Sequence, residues 1–176
     1  MRSFLTRTGG RLLLPSLFFF LCLFPSPGGA SPFTDDLGRV VDIPESPRRI
    51  VSLAPNLTEV LFALGLEDRI AGVTSYCDYP VEAREKPKIG GFIHFSLEKL
   101  VSLEPDLVLA TADGNRKETV LQIERLGVPL YVVNPETVGD VLAMIETLGR
   151  ITGTPDRAGP LAAALRKRVD RIVASA

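Results

Sequence analysis

The sequence has few of the residues on which catalytic and metal sites depend. Its 176 residues include one histidine, two cysteines and no tryptophan. A single histidine, His94, cannot build a histidine-rich metal site, and Cys77 has no partner at metal-ligand spacing. Cys22 lies in an N-terminal segment that we expect to be removed, so Cys77 has no partner for an intrachain disulfide. We therefore expect neither a resident metal ion nor a cofactor.

Several motifs of nucleotide-binding and hydrolytic enzymes are also absent. No GxGxxG follows the first expected strand, and the chain contains neither GxxxxGK[ST] nor GxSxG. An exported thiol-dependent α/β enzyme that uses Cys77, with or without His94, or Asp78 stays open as an alternative. The structural interpretation makes Cys77 a small half-buried residue and His94 a residue at a pocket rim or in solvent. We favour a protein that is not an enzyme.

The first thirty residues have the composition of a secretory signal peptide. Arg2, Arg7 and Arg11 precede an apolar run at 12–24, and helix breakers and small residues follow at 25–30. We predict cleavage after Ala30 and a periplasmic or otherwise extracytoplasmic location, with a membrane tether as the alternative. Loss of the three arginines changes the formal net charge from −1 to −4. This charge argues against a nucleic-acid partner, which would require a basic patch.

Beyond residue 30, short apolar strands alternate with amphipathic helices. The expected strands are at 50–53, 70–73, 106–110 and 130–133, with a further short one at Lys88 and Ile89. The expected N-caps are Asn56 with Glu59 as its capping partner, Ser96, Asn115 with Glu118, and Thr137 with Asp140. A hairpin at 34–43 precedes these elements. The alternation predicts an α/β fold with a Rossmann-like parallel sheet flanked by helices.

Ligands of open parallel sheets bind outside the carboxyl ends of the strands. The candidate ligand contacts at these ends are Asn56, Tyr76, Asp78, Phe92, His94, Asp113 and Asn115. The strands already supply the core, so Tyr76 and Phe92 indicate a flat or bulky apolar ligand that the polar groups orient. We expect Tyr79, next to Pro80, to close the top of the sheet instead.

Four ordered motifs carry a resemblance to a known family. They are RIVSLAPNLTEVLFALG at 49–65, SYCDYP at 75–80, FSLEKLVSLEPDLVLA at 95–110 and LGVPLYVVNPETVGDV at 126–141. Together with TDDLGRVVDIP at 34–44, they resemble the N-terminal lobe of the periplasmic substrate-binding proteins of ABC importers for cobalamin and iron–siderophores. The resemblance implies a ligand-binding lobe at 31–154. It also implies that 155–176 begins a long helix between two lobes, the C-terminal lobe being absent.

The resemblance implies a function as well. Such a protein captures a metal chelate between its lobes and delivers it to the permease subunits of an ABC importer. The loop SYCDYP is similar to the cobalamin branch, where a tyrosine at the position of Tyr76 stacks on the corrin. A cobalt corrinoid is therefore the favoured ligand, with a ferric siderophore or haem as alternatives.

The resemblance also implies a protein partner, the permease of the importer. Glu98 falls where the family has a glutamate that docks on arginines of the permease. Its place near a helix N-terminus has a structural explanation too, because the helix dipole favours a carboxylate there. We expect a monomer. A binding lobe fused to a downstream sensor is a further alternative.

Overall fold

The computed structural model describes residues 29–91, 94–113 and 117–175, with the backbone alone for Lys117 and Glu118. Two candidate ligand contacts, Phe92 and Asn115, lie outside the described residues. So does nearly all of the predicted signal peptide.

The described residues contain six strands, and four of them fall where the apolar runs predict them. The strands are β1 (Ala30–Thr34), β2 (Val40–Pro44), β3 (Ile50–Ser52), β4 (Ile70–Val73), β5 (Leu107–Thr111) and β6 (Leu130–Val133). β1 and β2 form the predicted antiparallel hairpin, in which Thr34 pairs with Val40. The expected strand at Lys88 and Ile89 is reduced to a single parallel bridge between Lys88 and Val73.

Within the described ranges, five α-helices connect and follow the strands. They are α1 (Pro55–Ala63), α2 (Leu97–Ser102), α3 (Lys117–Arg125), α4 (Val138–Ile151) and α5 (Pro155–Ala174). Two 3₁₀ turns, Glu67–Arg69 and Val81–Glu85, precede and follow β4. No helix in the described part of the chain combines the length and the apolar character needed to cross a membrane.

The four central strands form a parallel sheet in the order β4-β3-β5-β6. Since β3 leads to β4 on one side and β5 leads to β6 on the other, the connections diverge between β3 and β5. This divergence is the topological switch point of the sheet. The predicted fold class, a parallel sheet flanked by helices and followed by a long helix, is confirmed.

Alternation along the strands gives the sheet two buried faces. Leu107 and Leu109 of β5 pack with α1, α4 and α5 on one face. Val108 and Ala110 pack with α2 and α3 on the other face. Each strand is therefore buried on both sides, which explains why the strands appear in the sequence as continuous apolar runs.

The prediction that Asn56 caps the first of these helices is wrong. The N-cap is Ala54, which has no side-chain cap, and Pro55 occupies the first helical turn. Proline is favoured there because its φ angle suits a helix and its missing N–H would have no partner. Asn56 is consequently an exposed residue of the first turn, and Glu59 has no role in a capping box.

The other cap predictions inside the described residues are confirmed. The Ser96 hydroxyl accepts a hydrogen bond from the Lys99 N–H at 3.2 Å. Thr137 and Asp140 form a reciprocal capping box at the start of α4. Gly65 follows α1 with a φ of +65°, a conformation that glycine adopts without a steric penalty.

Helix α5 is fixed to the domain by its first two turns. A Cβ atom on Gly149 of α4 would lie 2.3 Å from the Cβ of Ala158, so the two helices meet through small residues. Nη1 of Arg157 donates to the carbonyls of Leu64, at 2.8 Å, and Gly65, at 2.9 Å. Ala158 and Ala162 are buried, whereas Ile172 and other residues near the end of α5 are exposed.

Candidate ligand-binding edge

The carboxyl ends of β3 and β5 flank the topological switch point. β3 leads into Ala54 and the first turn of α1, and β5 leads into Ala112 and Asp113. Leu53 donates its N–H to the Leu109 carbonyl at 2.9 Å, which keeps these two strand ends in register. Open α/β sheets bind ligands in the crevice beyond such a point. We call this side of the sheet the carboxyl edge.

A buried cluster of hydroxyls and one thiol supports the carboxyl edge from below. The Thr58 hydroxyl lies 2.8 Å from Oγ of Ser52 and 3.2 Å from Sγ of Cys77. The Thr74 hydroxyl lies 3.2 Å from the same sulfur atom. All four residues are buried. The cluster ties α1 to the loop that follows β4, so these two parts of the edge are held together.

Cys77 is therefore a structural residue in this fold. Its side chain is buried and its thiol is engaged by two threonine hydroxyls. A buried, hydrogen-bonded thiol is not presented to a substrate, in contrast to the exposed thiolates of catalytic cysteines. His94 is exposed and is not among these contacts. The interpretation of Cys77 as a small packed residue is confirmed, although its burial is complete rather than partial.

A lysine inside the same loop fixes its course. The Lys88 ammonium donates to the carbonyls of Cys77 and Ala83, both at 2.8 Å. Arg84 also donates, through Nε, to the Asp78 carbonyl at 3.2 Å. These bonds tie the loop after β4 to the 3₁₀ turn at Val81–Glu85, and the Asp78 side chain is exposed at the surface.

Tyr76 projects from this fixed loop. Its side chain is 64 % exposed. Cε2 of its ring would lie 3.7 Å from a Cβ atom on Gly91, so the ring lies along the glycine pair at 90–91. Ser75 holds that arrangement, because its N–H donates to the Gly90 carbonyl at 2.7 Å. A large aromatic face is thus held at the carboxyl edge and open to solvent.

The glycine pair makes a tight return towards α2. Gly91 donates its N–H to the His94 carbonyl at 2.8 Å, and Ser96 donates to the Ile89 carbonyl at 2.8 Å. Gly90 has a φ of +128°, and a Cβ atom there would lie 2.8 Å from Cα of Phe95. No other residue would fit at this position without a shift of the backbone.

His94 and Glu98 line one pocket between α2 and α3. Its volume is about 410 Å³, and Thr119 and Gln122 of α3 complete its wall. Neither Tyr76 nor Asp113 is among its lining residues. The structure therefore groups His94 with the predicted docking residue Glu98 rather than with the predicted ligand contacts. Both side chains are exposed.

The hairpin of β1 and β2 contributes to the β6 end of the carboxyl edge. A carboxylate oxygen of Asp36 accepts the backbone N–H of Asn134 at 2.6 Å, directly after β6. The Tyr131 hydroxyl donates to the Thr34 carbonyl at 3.0 Å. Burial, with the nearby charges of Asp36 and Asp35, raises the pKa of Tyr131 to about 12.

Two further groups near β6 have shifted pKa values. Hydrogen bonds from the side chain and backbone of Thr137 lower the pKa of Asp140, as expected for a capping carboxylate. Partial burial would lower the pKa of Arg39, but its hydrogen bonds with Asp35 and Glu124 outweigh this effect and raise it. Asp140 thus closes the first turn of α4, and Arg39 joins the hairpin to α3.

Four of the predicted ligand contacts lie on segments that follow strand ends. Asn56, Tyr76, Asp78 and Asp113 are exposed on loops or turns that follow strand ends. Among the described residues, no group of three or more His, Cys, Asp and Glu side chains is placed to hold a metal ion. The exposed groups are one aromatic ring, that of Tyr76, and the polar side chains of Asn56, Asp78 and Asp113.

Sequence reasoning missed the supporting residues Ser52, Thr58, Thr74 and Lys88. Their polar side chains gave no periodic signal, and they meet only through the fold. The prediction for Tyr79 is wrong, because its ring is 68 % exposed and borders a groove on the outer side of β4.

Comparison with known proteins gives a consistent family match. A family model described as periplasmic binding protein matches residues 50–176. A vitamin B12-binding protein of Vibrio parahaemolyticus is 33 % identical over 130 residues, which cover 74 % of this chain and 47 % of the relative. One from Yersinia pestis is 29 % identical and covers 86 % and 54 %. The chain thus spans about half the length of the curated relatives it matches.

Solved structures agree with this match. The periplasmic vitamin B12-binding protein of Vibrio cholerae superposes with a TM-score of 0.67 at 31 % identity, covering 71 % of this chain and 49 % of the other. A periplasmic heme-binding protein from Roseiflexus sp. RS-1 superposes with a TM-score of 0.65 at 33 % identity, covering 70 % and 48 %.

Proposed function

The chain belongs to the periplasmic binding protein family, and from this membership we propose that it is one lobe of an exported protein that captures a ligand for an ABC importer. The family is one of binding proteins rather than enzymes. Relatives that carry vitamin B12-binding in their names support the same role. The location that we propose is the periplasm or another extracytoplasmic space, as the family name suggests.

We infer further that the ligand is cobalamin or a related corrinoid. One observation carries this inference: the ring of Tyr76 is exposed at the carboxyl edge while its loop is fixed by buried hydrogen bonds. A ring on a fixed loop can stack on a flat macrocycle without ordering of the backbone on binding. Asn56, Asp78 and Asp113 are polar groups on the same edge, and they suit the amide side chains of a corrinoid.

Haem is a second candidate ligand. The Roseiflexus heme-binding protein is as similar to this chain as the vitamin B12-binding relatives are. A tyrosine phenolate can ligate haem iron, and Tyr76 presents its phenol to solvent. The two ligands differ in what they require of Tyr76, because stacking needs only the ring whereas ligation needs the hydroxyl.

Calorimetric titration of the protein encoded by the complete gene tests the proposal. Cyanocobalamin, haemin and a ferric siderophore are titrated separately. We expect one cobalamin to bind per protein, with similar affinity for the Tyr76→Phe variant. If haemin binds to the unaltered protein but not to Tyr76→Phe, the ligand is haem rather than a corrinoid. Absence of binding for all three chelates would contradict the ligand class.

Glu98 is the residue that we propose for permease docking. It lies exposed in the first turn of α2, and the Ser96 cap fixes the start of this helix. An exposed carboxylate on a fixed helix turn is suited to a contact with a cationic side chain of a membrane subunit. The partners in this proposal are therefore a metal chelate on one side and the permease on the other.

A further inference from the structure

Helix α2, which carries the proposed docking residue Glu98, is too short to be stable by itself. It has six residues, and Leu100 is its buried side chain. Isolated helices of fewer than about 12–15 residues are marginal in water, because only a few main-chain hydrogen bonds offset the cost of forming the first turn. The position of Glu98 therefore depends on the groups that hold the two ends of α2.

The amino end of α2 is held by Ser96. Its hydroxyl accepts the Lys99 N–H at 3.2 Å, and its own N–H donates to the Ile89 carbonyl at 2.8 Å. The carboxyl end has a less favourable sequence. Glu104 follows the C-cap with a φ of +45°, a left-handed conformation that glycine usually provides at this place. Pro105 comes next and has no N–H with which to close the last turn.

The side chain of Arg49 closes this carboxyl end from outside the helix. Its Nε donates to the carbonyls of Leu103, at 2.8 Å, and Glu104, at 3.1 Å. Its Nη2 donates to the Leu103 carbonyl as well. Carbonyls at the end of a helix have no partner within the helix, and an arginine placed there can satisfy them. The guanidinium thus holds the turn at which α2 ends.

The backbone of Arg49 is itself fixed by the sheet. The Asp106 carboxylate accepts the N–H groups of Arg48, at 2.7 Å, and Arg49, at 2.9 Å. Asp106 donates its own N–H to the Arg49 carbonyl at 3.1 Å. The pairing of β3 with β5 begins at the next residues, Ile50 and Leu107. The guanidinium therefore reaches α2 from the fixed amino end of two central strands.

We propose that Arg49 is a positioning residue for permease docking, in that its guanidinium orders α2 and so places Glu98. This inference rests on the docking role proposed for Glu98. Leu103 is five residues from Glu98, about 7.5 Å along a helix axis, so Arg49 acts on the docking carboxylate through the helix rather than by direct contact. Loss of the guanidinium lets the last turn of α2 unwind and widens the range of positions that the Glu98 carboxylate occupies.

The first test measures delivery and ligand capture separately on the full-length protein. Arg49→Met removes the hydrogen-bond donors and keeps a long unbranched side chain. We expect the cyanocobalamin-loaded variant to stimulate the importer ATPase in liposomes two- to fivefold less than the unaltered protein does. The dissociation constant for cyanocobalamin should stay unchanged, because Arg49 precedes β3 and lies at the opposite end of the sheet from the carboxyl edge. A weakened affinity that accounts for the lost stimulation would overturn the proposal.

A double variant shows whether Arg49 acts through Glu98. In a Glu98→Gln background, we expect Arg49→Met to cause no further loss of ATPase stimulation, because the carboxylate that it places is already absent. Additive losses would overturn the positioning role. A loss in Glu98→Gln without one in Arg49→Met would also overturn it, while leaving the docking role of Glu98 in place. Full stimulation by Glu98→Gln would instead contradict the docking proposal itself, and the role of Arg49 with it.

Hydrogen exchange tests the ordering of α2 without the importer. We expect the N–H groups of Leu100 and Leu103, which bond within this turn, to exchange at least tenfold faster in Arg49→Met. The N–H of Leu53, which bonds to β5, should keep its rate. Equal acceleration of all three would indicate a general loss of stability and would overturn the proposal.

Arg69→Met is the matched control for both measurements. Nη1 of Arg69 donates to the carbonyl of Thr152, the C-cap of α4, at 2.9 Å. The variant therefore removes the same charge and the same kind of bond from the end of a different helix. It should leave the exchange of α2 and the ATPase stimulation unchanged. Losses equal to those of Arg49→Met would show that the effect is not specific to α2, and would overturn the proposal.

Discussion

The hydroxyl of Thr58 and the thiol of Cys77 lie 3.2 Å apart in the interior, and this contact joins α1 to the loop that follows β4. Thr58 also contacts Ser52 at the end of β3. One buried hydroxyl therefore connects three consecutive segments of the carboxyl edge. Because Tyr76 is the neighbour of Cys77, this contact fixes the backbone that carries the ring we propose for stacking.

Thr58→Val removes this hydroxyl while keeping the shape of the side chain. We expect a loss of about 1–3 kcal/mol in the free energy of unfolding, since buried polar groups lose a partner. Urea unfolding measures this loss. Thr119→Val on α3, where the threonine is only partly buried, is the control and should change stability by less than about 0.5 kcal/mol.

The thiol of Cys77 provides an independent measurement of the same cluster. In a Cys22→Ser background, we expect Cys77 to react with a thiol reagent only when the protein unfolds, because its side chain is 1 % exposed. Thr58→Val should accelerate the reaction under native conditions. Rapid labelling of the unaltered folded protein would contradict the described burial of Cys77.

Tyr76→Ala removes the exposed ring from the carboxyl edge. We expect the affinity for cobalamin to fall about 10- to 100-fold, as for a large aromatic contact at the centre of a binding surface. Tyr79→Ala is a matched control, because Tyr79 is similarly exposed but borders a groove on the outer side of β4. Calorimetry on both variants gives the comparison. Equal losses in the two variants would mean that the ring of Tyr76 has no specific role in the site.

Glu98→Gln separates ligand capture from delivery. We expect an unchanged dissociation constant for the ligand, together with a two- to fivefold weaker stimulation of the importer ATPase in liposomes. This range corresponds to about 0.4–1 kcal/mol, the upper part of what an exposed ion pair contributes. Glu146→Gln on α4, which removes the same charge from an exposed site, should stimulate the ATPase as well as the unaltered protein does.

Tyr131 should make the free energy of unfolding decrease at alkaline pH. Its pKa is raised from 10.0 to about 12 in the folded protein. The stability that it contributes is therefore complete below pH 10 and is lost as the pH rises through about 12. Urea midpoints at pH 8 and pH 11 should differ more for the unaltered protein than for Tyr131→Phe. An identical pH dependence for the two proteins would contradict the raised pKa.

Local signals in the sequence were sufficient for most of the fold. The run at 130–133 coincides with β6, and the pair Thr137 and Asp140 forms the capping box that its spacing predicts. These features depend on residues within one turn or one strand of each other. The start of α1 was misread because Asn56 is a strong capping residue, whereas Pro55 at the first helical position decided the boundary.

The site was less accessible to sequence reasoning. Strand ends could be located, so Tyr76 and Asp113 could be assigned to the carboxyl edge. The contacts that hold them could not, because Thr58 and Cys77 are nineteen positions apart and meet only in the folded chain. Likewise, the neighbouring Pro80 was the local difference used to separate Tyr79 from Tyr76, and it placed Tyr79 wrongly, since that ring is exposed beside a groove on the outer side of β4.

The small-residue contact between Gly149 and Ala158 fixes the amino-terminal end of α5 against α4, whereas the rest of the helix extends beyond this contact. The anchored part runs from Arg157 to Leu165, whereas the whole helix of 20 residues is about 30 Å long. A small tilt of the anchored turns therefore displaces Ala174 several times further than it displaces the anchored residues. A methyl group added at Gly149 would therefore require α4 and α5 to separate, because the contact with Ala158 leaves no room for it.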